Sequence, residues 1–341
     1  MENYIIGIDL GGTNIKSAVF TSAFKPVIER SDLTEAALGP AHVLNKIKSI
    51  LKMMLVEAAI DLNSVLGMGM GIPGLLDPQE GISIFSPNFP QWENIHVVKE
   101  MQREFPFPVF IDNDVRVNLY GEWLFGAGVG GRNMVLLTLG TGLGSGILAE
   151  GRVLYGHTAS AGEIGHMNIV RGGRPCRCGS SGCLGRYVSA TGMVRTFTEE
   201  LEKGRESLIR SWVKDDPGQI TAKMISDAYD RGDALAIEVM QETGELLGFG
   251  LAAVINLFNP ELIMIGGGMS AAGDRLLNPV RAVIRKTALK LSSEACQVVQ
   301  AALGSRSGVL GAAAYASMRM EPPGAPSLFH NNPSLSSGDR I

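Results

Sequence analysis

The chain has 341 residues, of which 45% are hydrophobic and 19% are charged, and its formal net charge is -4. This length and composition predict a soluble α/β protein with two domains, and the weak negative charge without a basic arm disfavours nucleic-acid binding. No long apolar run predicts a membrane span, the chain enters a strand without a signal-like segment, and four cysteines fit a reducing compartment, so we expect a cytoplasmic protein.

The first predicted element is a glycine hairpin. A short apolar strand over residues 4–10 is followed by the turn Gly11-Gly12-Thr13-Asn14 and a second strand over residues 15–20. The carboxylate of Asp9 lies at the mouth of this hairpin. The local sequence leaves two interpretations open, an ordinary tight turn and a phosphate-binding turn.

The next stretch combines a helix, a strand and a proline-rich loop. Apolar residues recur at helical spacing over residues 42–62, and a buried strand is predicted over residues 65–72, ending in a turn at residues 71–74. The loop over residues 86–92 has two interpretations: a rigid connector with Trp92 packed inward, or a ligand contact through Asn88.

Polar residues follow the next predicted strand, at residues 108–111. Asp112, Asn113 and Asp114 stand there, directly before a helix predicted over residues 115–125. The carboxyl ends of strands are where α/β proteins place ligand chemistry. One of these residues is expected to cap the helix, but two carboxylates and an amide exceed what capping needs.

A second hairpin repeats the design of the first. An apolar strand over residues 134–139 leads into a glycine-rich turn over residues 140–146 and a return strand over residues 147–150. Two such hairpins in one chain predict an internal duplication at the level of the fold. Because a strand and not a helix follows the glycines, the dinucleotide-binding template does not fit.

Residues 157–189 hold three of the four cysteines, Cys176, Cys178 and Cys183, and His166 stands ten positions before the first of them. One imidazole and three thiolates are the ligands of a closed structural zinc site. A redox C-x-C pair and a chance cluster are the alternatives. Residues 171–182 include no large apolar side chain, so a metal would stabilise a segment that lacks a core. Glu163, three residues before His166, would be fixed beside the metal.

The remainder of the chain is mainly helical. Helices are predicted over residues 191–201, 220–231 and 234–257, the last of them ended by Asn259-Pro260. A buried strand over residues 261–265 leads into Gly266-Gly267-Gly268, a turn that opens a helix and lets a nucleotide approach the backbone. A strand over residues 298–303 and a helix over residues 309–318 close the fold, and residues 321–341 are predicted to be a disordered tail.

Taken together, these motifs resemble the ROK family (repressors, open reading frames and kinases). In chain order they are D-L-G-G-T-N-I-K (9–16), G-I-P-G (71–74), N-D (113–114), L-G-T-G-L-G-S-G (139–146), G-E-I-G-H (162–166), C-R-C-G-S-S-G-C (176–183) and I-G-G-G (265–268). The resemblance extends from residue 6 to about residue 316 and so covers nearly the whole folded chain.

The resemblance implies an α/β fold of the actin-like, ribonuclease-H-like ATPase type, with two α/β domains around a central cleft. The first domain is expected over residues 1–117 and about 304–320, because the last helix returns to it. The second is expected over residues 118–303 and includes the zinc loop, and the tail begins at residue 321. A homodimer is usual for the family, and no nucleic-acid or membrane partner is expected.

The resemblance also implies ATP-dependent phosphorylation of a hexose or N-acetylhexosamine, as in a glucokinase. Asp114 would be the general base on the sugar hydroxyl. The other expected sugar-binding residues are Asn88 in the proline-rich loop, Asn113, Glu163 and His166. His166 would bind zinc through one ring nitrogen and the sugar through the other.

The implied cofactors are ATP, Mg²⁺ and a structural Zn²⁺. Asp9 would help to hold Mg²⁺, two turns would cradle the phosphates, and a third turn would approach adenosine. The expected nucleotide-binding residues are Asp9, Gly11, Gly12, Thr13, Asn14, Lys16, Gly140, Thr141, Gly142, Gly266, Gly267 and Gly268.

Two positions depart from the family pattern. Gly185 stands where the family usually has a glutamate, and Arg116 stands where it usually has an asparagine. Loss of the glutamate would remove a sugar contact, so a catalytically weak sugar-binding or regulatory protein is the alternative function. A glycine that adopts a positive φ is one explanation of the first departure. A repressor of the family would need a helix-turn-helix module before the first hairpin. Because that hairpin starts at Ile6, we expect no room for the module, and a kinase is the primary expectation.

Overall fold

The computed structural model describes residues 2–86, 89–214 and 216–320. Asn88 and the predicted tail lie outside the described residues. No helix within the described ranges is long and apolar enough to cross a membrane. Contacts divide the chain into two compact units, which we call unit 1 (Met1–Gly130, Leu154–Ala161 and Ala302–Ile341) and unit 2 (Gly131–Val153 and Gly162–Ala301). The domain bounds expected from the sequence stay a prediction.

Strands and helices are labelled in chain order. The strands are β1 (Tyr4–Leu10), β2 (Asn14–Thr21), β3 (Pro26–Leu33), β4 (Val65–Ile72), β5 (Leu75–Asp77), β6 (Ile82–Phe85), β7 (Glu93–Ile95), β8 (Val109–Asn113), β9 (Met134–Leu139), β10 (Leu143–Ala149), β11 (Arg152–Val153), β12 (Leu262–Gly266) and β13 (Gln297–Gln300). The α-helices are α1 (Pro40–Glu57), α2 (Val97–Gln102), α3 (Asp114–Phe125), α4 (Gly185–Val188), α5 (Ala190–Glu202), α6 (Ile209–Trp212), α7 (Ala222–Asp230), α8 (Ala234–Phe258), α9 (Asp274–Thr287), α10 (Lys290–Ala295) and α11 (Ser307–Met320).

Unit 1 is built on a sheet of order β3-β2-β1-β4-β8. The β1/β2 and β2/β3 pairs are antiparallel, whereas β1/β4 and β4/β8 are parallel. The parallel strands are apolar along nearly their whole length because both sheet faces are covered. Helix α11 packs closely against β4, since a Cβ on Gly69 would overlap the carbonyl oxygen of Ala312. Because β1, β4 and β8 run parallel, their carboxyl ends lie along the same edge of the sheet, which carries Asp9 and Asn113.

Unit 2 repeats this topology. Its sheet has the order β11-β10-β9-β12-β13, with antiparallel β11/β10 and β10/β9 pairs and parallel β9/β12 and β12/β13 pairs. The duplication predicted from the two glycine hairpins is therefore confirmed at the level of strand order and direction.

Several element bounds differ from the prediction. The helix predicted over residues 42–62 ends at Glu57, because Ala59 adopts a left-handed backbone with φ 52 that cannot continue it. The second glycine turn is shorter than predicted. Gly144 and Gly146 already lie in β10, where they pair with Thr138 and Leu136 of β9. Strands β3, β5, β6 and β7 and helix α2 were not predicted from the sequence. In β3, exposed and partly buried positions alternate along an edge strand, so its apolar signal is weak.

The structure agrees with one of the two interpretations of the proline-rich loop, and it confirms the predicted end of the long helix. Trp92 packs inward with 1% of its surface exposed, and its indole Nε1 donates to Ser83 Oγ at 2.8 Å. Helix α8 ends at Phe258, where Asn259 takes the left-handed conformation with φ 45 that commonly terminates helices.

Candidate active site

The carboxyl end of β8 positions the expected general base. Asn113 caps helix α3: its Oδ1 accepts from the backbone N–H of Val115 at 2.9 Å and of Arg116 at 3.4 Å. Its Nδ2 donates to the carbonyl of Gly74 at 3.1 Å, which ties the 71–74 turn to the strand end. Asn113 is thus the capping residue of the Asp112-Asn113-Asp114 run, and Asp114 begins the helix.

Asp114 has the electrostatics of a general base. Burial, together with the negative charge of Asp9, raises the pKa of its carboxyl to about 7. The Val115 N–H and the Arg116 guanidinium act in the opposite direction. A carboxyl group that titrates near neutral pH can accept a proton from a hydroxyl group and release it again.

Asp9 lies at the equivalent end of β1. Its carboxylate stands 3.9 Å from the Lys16 ammonium, which in turn donates to the carbonyl of Ser305 at 3.3 Å. Burial raises the pKa of Asp9, and Lys16 counteracts this. Gly308 at the start of α11 leaves room for the carboxylate, because a Cβ there would overlap it. A carboxylate oxygen is the type of ligand that a hard cation such as Mg²⁺ prefers.

Both glycine turns present free backbone donors. In the first, Gly11 N–H donates to Asn14 O at 2.9 Å, and in the second, Gly140 N–H donates to Gly142 O at 2.9 Å. Among the described residues, no acceptor is assigned to the following N–H groups, those of Gly12, Thr13, Thr141 and Gly142. Cβ atoms at Gly12, Gly140 and Gly142 would meet open space, so these positions are accessible to a ligand. Such donors suit phosphate oxygens.

A cavity of about 480 Å³ in unit 2 brings the second and third turns together. Gly140 and Thr141 line it on one side, and Gly268 and Met269 line it on another. Met193 and Met240 supply buried apolar wall. A pocket with apolar walls and backbone donors at one end fits a nucleoside with an attached phosphate chain.

The predicted metal ligands converge. The ligand atoms of His166, Cys176, Cys178 and Cys183 all lie within 4.8 Å of one another. The Cys178 and Cys183 sulfurs are 3.7 Å apart, and Cys176 Sγ is 3.7 Å from His166 Nδ1. A disulfide would need about 2 Å, whereas zinc–sulfur bonds of about 2.3 Å in a tetrahedron separate the sulfurs by about 3.8 Å. The cluster therefore fits zinc and not a disulfide.

The second ring nitrogen of His166 is turned toward Glu163. His166 Nε2 lies 3.9 Å from Glu163 Oε2, and both side chains are about half exposed. This separation is too long for a direct hydrogen bond but leaves both groups available to one hydroxyl group placed beside them. The structure thus brings together Glu163 and His166, as the sequence predicted.

Two supporting residues were missed by sequence reasoning. Ser145 donates to the carbonyl of Gly162 and accepts from the N–H of Ile164 at 3.1 Å, and so holds the backbone on both sides of Glu163. Arg174 donates to Glu199 at 2.5 Å and stacks over Tyr187, which fixes the cysteine loop to α5. Only the G-S-G pattern of the second hairpin hinted at Ser145, and no local signal marked Arg174.

Gly185 begins helix α4 with a backbone that is not left-handed, so the explanation by positive φ is wrong. A Cβ there would lie 3.3 Å from the carbonyl oxygen of Gly165 and 3.4 Å from Leu143 Cβ. A side chain at position 185 would require these neighbours to shift by a few tenths of an ångström. It would start beside Gly165, the residue before His166.

The expected residues are distributed over both units. Unit 1 carries the first glycine turn with the two carboxylates, Asp9 and Asp114, and unit 2 carries the second and third turns, Glu163 and the Cys/His cluster. Asn88, the remaining expected sugar contact, lies outside the described residues.

Comparisons with known proteins identify the family to which the chain is similar. The ROK family profile matches residues 5–319. A glucokinase from Halalkalibacterium halodurans is 37% identical over 311 residues, which cover 91% of this chain and 94% of that protein. The crystal structure of a ROK family glucokinase from Streptomyces griseus in complex with glucose and AMPPNP superposes with a TM-score of 0.79 at 29% identity, covering 93% of this chain and all of that one.

A ROK family transcriptional regulator, a homologue of the E. coli MLC protein, has a similar TM-score of 0.80 at 29% identity, covering 91% of this chain and 76% of that one. These neighbours confirm the predicted actin-like ATPase fold. The chain belongs to the ROK family.

Proposed function

We propose that this protein is an ATP-dependent sugar kinase that phosphorylates a hydroxyl of a hexose or N-acetylhexosamine, with glucose as the leading substrate. The observation that carries the proposal is Asp114, a carboxyl group whose pKa is about 7 at the strand end beside Asp9. The similarity to glucokinases supports the same activity.

Asp114 performs the proton transfer in this proposal. Its carboxylate accepts the proton of the attacking sugar hydroxyl as the oxygen bonds to the γ-phosphorus, and ADP leaves. Phosphoryl transfer needs little covalent help from the protein, so alignment and charge neutralisation account for most of the catalysis. Asn113 keeps Asp114 at the first position of α3 through its capping bonds, and its remaining hydrogen-bonding capacity is offered to a second hydroxyl.

The nucleotide site in this proposal consists of the three glycine turns with Asp9, Asn14 and Lys16. The free N–H groups of the first two turns bind phosphate oxygens, and the 266–268 turn faces the adenosine. Asp9 is the residue that would hold Mg²⁺, which neutralises phosphate charge when it is bound.

The sugar site in this proposal includes Glu163 and His166. The Glu163 side chain accepts from sugar hydroxyls, and His166 Nε2 bonds a hydroxyl while Nδ1 faces the Cys176 sulfur. We propose that a structural zinc on His166, Cys176, Cys178 and Cys183 fixes the orientation of this imidazole. The geometry of the four ligand atoms supports this proposal.

The remaining parts of the proposal concern the oligomeric state, the metabolic role and the cellular compartment. We propose a homodimer, as is usual in the family, and a role at the start of sugar breakdown. A reducing cytoplasm fits four cysteines that form no disulfide within the described residues. Light scattering coupled to size exclusion measures the oligomeric state directly.

The function is tested by ADP release in a coupled assay over a panel of sugars: glucose, mannose, fructose, allose, N-acetylglucosamine and N-acetylmannosamine. We expect turnover that requires ATP, Mg²⁺ and one of these sugars. Sugar binding without ADP release would favour a regulatory protein instead, the alternative that Gly185 supports.

The rate should depend on pH through Asp114. Because the base must be deprotonated and its pKa is raised to about 7, kcat/KM for the sugar should fall as the pH drops through about 7 and reach a plateau above it. Steady-state kinetics over the range from about pH 5.5 to 9 measures this limb. A plateau that continued down to the acid end would contradict the assignment of Asp114.

Gly185→Glu should strengthen sugar binding. A Cβ at position 185 would make tight contacts that a shift of a few tenths of an ångström relieves. A charged hydrogen bond made by the new carboxylate is worth about 1.5–3 kcal/mol, or roughly a 10-fold to 100-fold lower KM for glucose. Gly185→Gln is the matched control without charge and should give a smaller gain. A folded, zinc-containing Glu variant with an unchanged KM for glucose would show that the position does not face the sugar.

A further inference from the structure

A buried polar network lies beneath the catalytic strand end in unit 1. Asp112 is fully buried, and its Oδ1 accepts from Arg116 Nε at 2.6 Å and from the backbone N–H of Asn113 at 2.7 Å. Its Oδ2 accepts from the Tyr155 hydroxyl at 2.6 Å. Burial raises the pKa of the Tyr155 phenol far above its ordinary value, so this hydroxyl remains a donor. The Asp112 carboxylate thereby fixes the backbone at Asn113, next to Asp114.

Arg116 joins this network to a second segment of the chain. Arg116 is 5% exposed, and its guanidinium stacks over the Tyr155 ring at 4.9 Å and donates from Nη1 to the carbonyl of Ala159 at 2.8 Å. Its Nη2 is buried without an acceptor in the described ranges. A buried cation with an unpaired donor is costly to keep, so stability alone does not account for Arg116.

The segment that Arg116 holds is Leu154–Ala161, which belongs to unit 1 although residues of unit 2 flank it in sequence on both sides. Ala159 is held in a left-handed backbone with φ 54, a conformation that a residue with a Cβ rarely adopts. The strained residue is the one whose carbonyl faces Arg116. Four positions later the chain reaches Glu163.

We propose that Arg116 is a positioning residue for phosphoryl transfer, which holds the Asp112 carboxylate under the catalytic strand end and at the same time fixes the segment that leads into Glu163 and His166. This inference rests on the proposed sugar-kinase function. Arg116 bonds Asp112 and Ala159, and it acts on Asp114 only through its charge, which a lysine at this position retains. Only a planar guanidinium supplies two donors in the required directions, which a lysine ammonium cannot match.

Arg116→Lys tests the proposal. The variant retains the positive charge beside Asp112, but we expect loss of the bond to the Ala159 carbonyl. The KM for the sugar should therefore rise about tenfold. The KM for ATP should stay within about twofold, because the described contacts of Arg116 are with Asp112, Tyr155 and Ala159 and not with the glycine turns. Arg103→Lys, an exposed ion pair with Glu100 on the surface, is the matched control and should change neither constant.

A merely structural role would give a different result. If both Michaelis constants rise together with a fall in thermal stability, or if neither changes in folded protein, the positioning role is wrong. Should Arg116→Lys fail to fold, Tyr155→Phe carries the test: it keeps the ring beneath the guanidinium and removes the bond to Asp112. We then expect a selective rise of about threefold in the KM for the sugar, and unchanged constants would overturn the proposal.

The two proposals fail in different ways. If the wild-type protein phosphorylates a sugar and Arg116→Lys behaves like it, only the positioning role is lost. If the wild-type protein turns over no sugar in the panel, the kinase function is lost, and calorimetric titration with glucose still compares the variants by dissociation constant. A wild-type protein that neither turns over nor binds a sugar overturns both.

Discussion

Replacing Asp114 by asparagine should lower kcat by about 10² to 10⁴ while leaving the fold and the sugar affinity largely intact. The amide has nearly the same size as the carboxylate and can still accept the Val115 N–H at the start of α3. It cannot accept the proton of the attacking hydroxyl, which is the task that a carboxyl group titrating near pH 7 is suited to perform. Steady-state kinetics, sugar titration and thermal unfolding measure the three quantities.

The matched control for this variant is Asp230→Asn. Asp230 is 60% exposed and pairs with Arg275 at 2.6 Å on the surface of unit 2. Exposed pairs contribute little, so turnover should remain within about twofold of the wild type. Turnover close to normal in Asp114→Asn would remove Asp114 from the role of general base.

Cys178→Ser should remove zinc and most of the activity. The purified wild-type protein is expected to contain one zinc per chain. Hydrogen bonds from the backbone N–H of Ser180 and from the other side chains of the cluster lower the pKa of the Cys178 thiol to about 7, which favours the thiolate that zinc binds. A serine hydroxyl stays protonated and is a poor ligand. Since the metal orders the loop beside Glu163 and His166, the KM for the sugar should rise at least about tenfold before the unit unfolds.

The control for the zinc variant is Cys296→Ser. Cys296 lies outside the cluster of four ligand atoms, so its replacement should leave the metal site intact. Elemental analysis should find zinc in the Cys296 variant and in the wild type but not in the Cys178 variant. Full activity in protein that contains no zinc would contradict the proposal.

The sequence by itself determined most of the local structure and the positions of the expected chemistry. The bounds of β1, β4 and β9 follow from apolar runs ended by glycine or polar residues, and both hairpins were visible in their glycines. These signals are local, because hydrophobic periodicity and turn residues act within a few positions. The cysteine spacing was equally informative, since a metal cluster needs few residues and leaves a recognisable pattern.

Only the tertiary structure decided how distant residues cooperate. Asn113 and not Asp112 caps α3, because Asp112 turns into a buried network with Arg116 and Tyr155. The pKa of Asp114 depends on burial and on Asp9, which lies more than a hundred positions away in sequence. Edge strand β3 lacks a strong apolar pattern because its exposed positions face solvent. Burial, charge and hydrogen bonding between remote segments depend on packing, and no local pattern in the sequence records them.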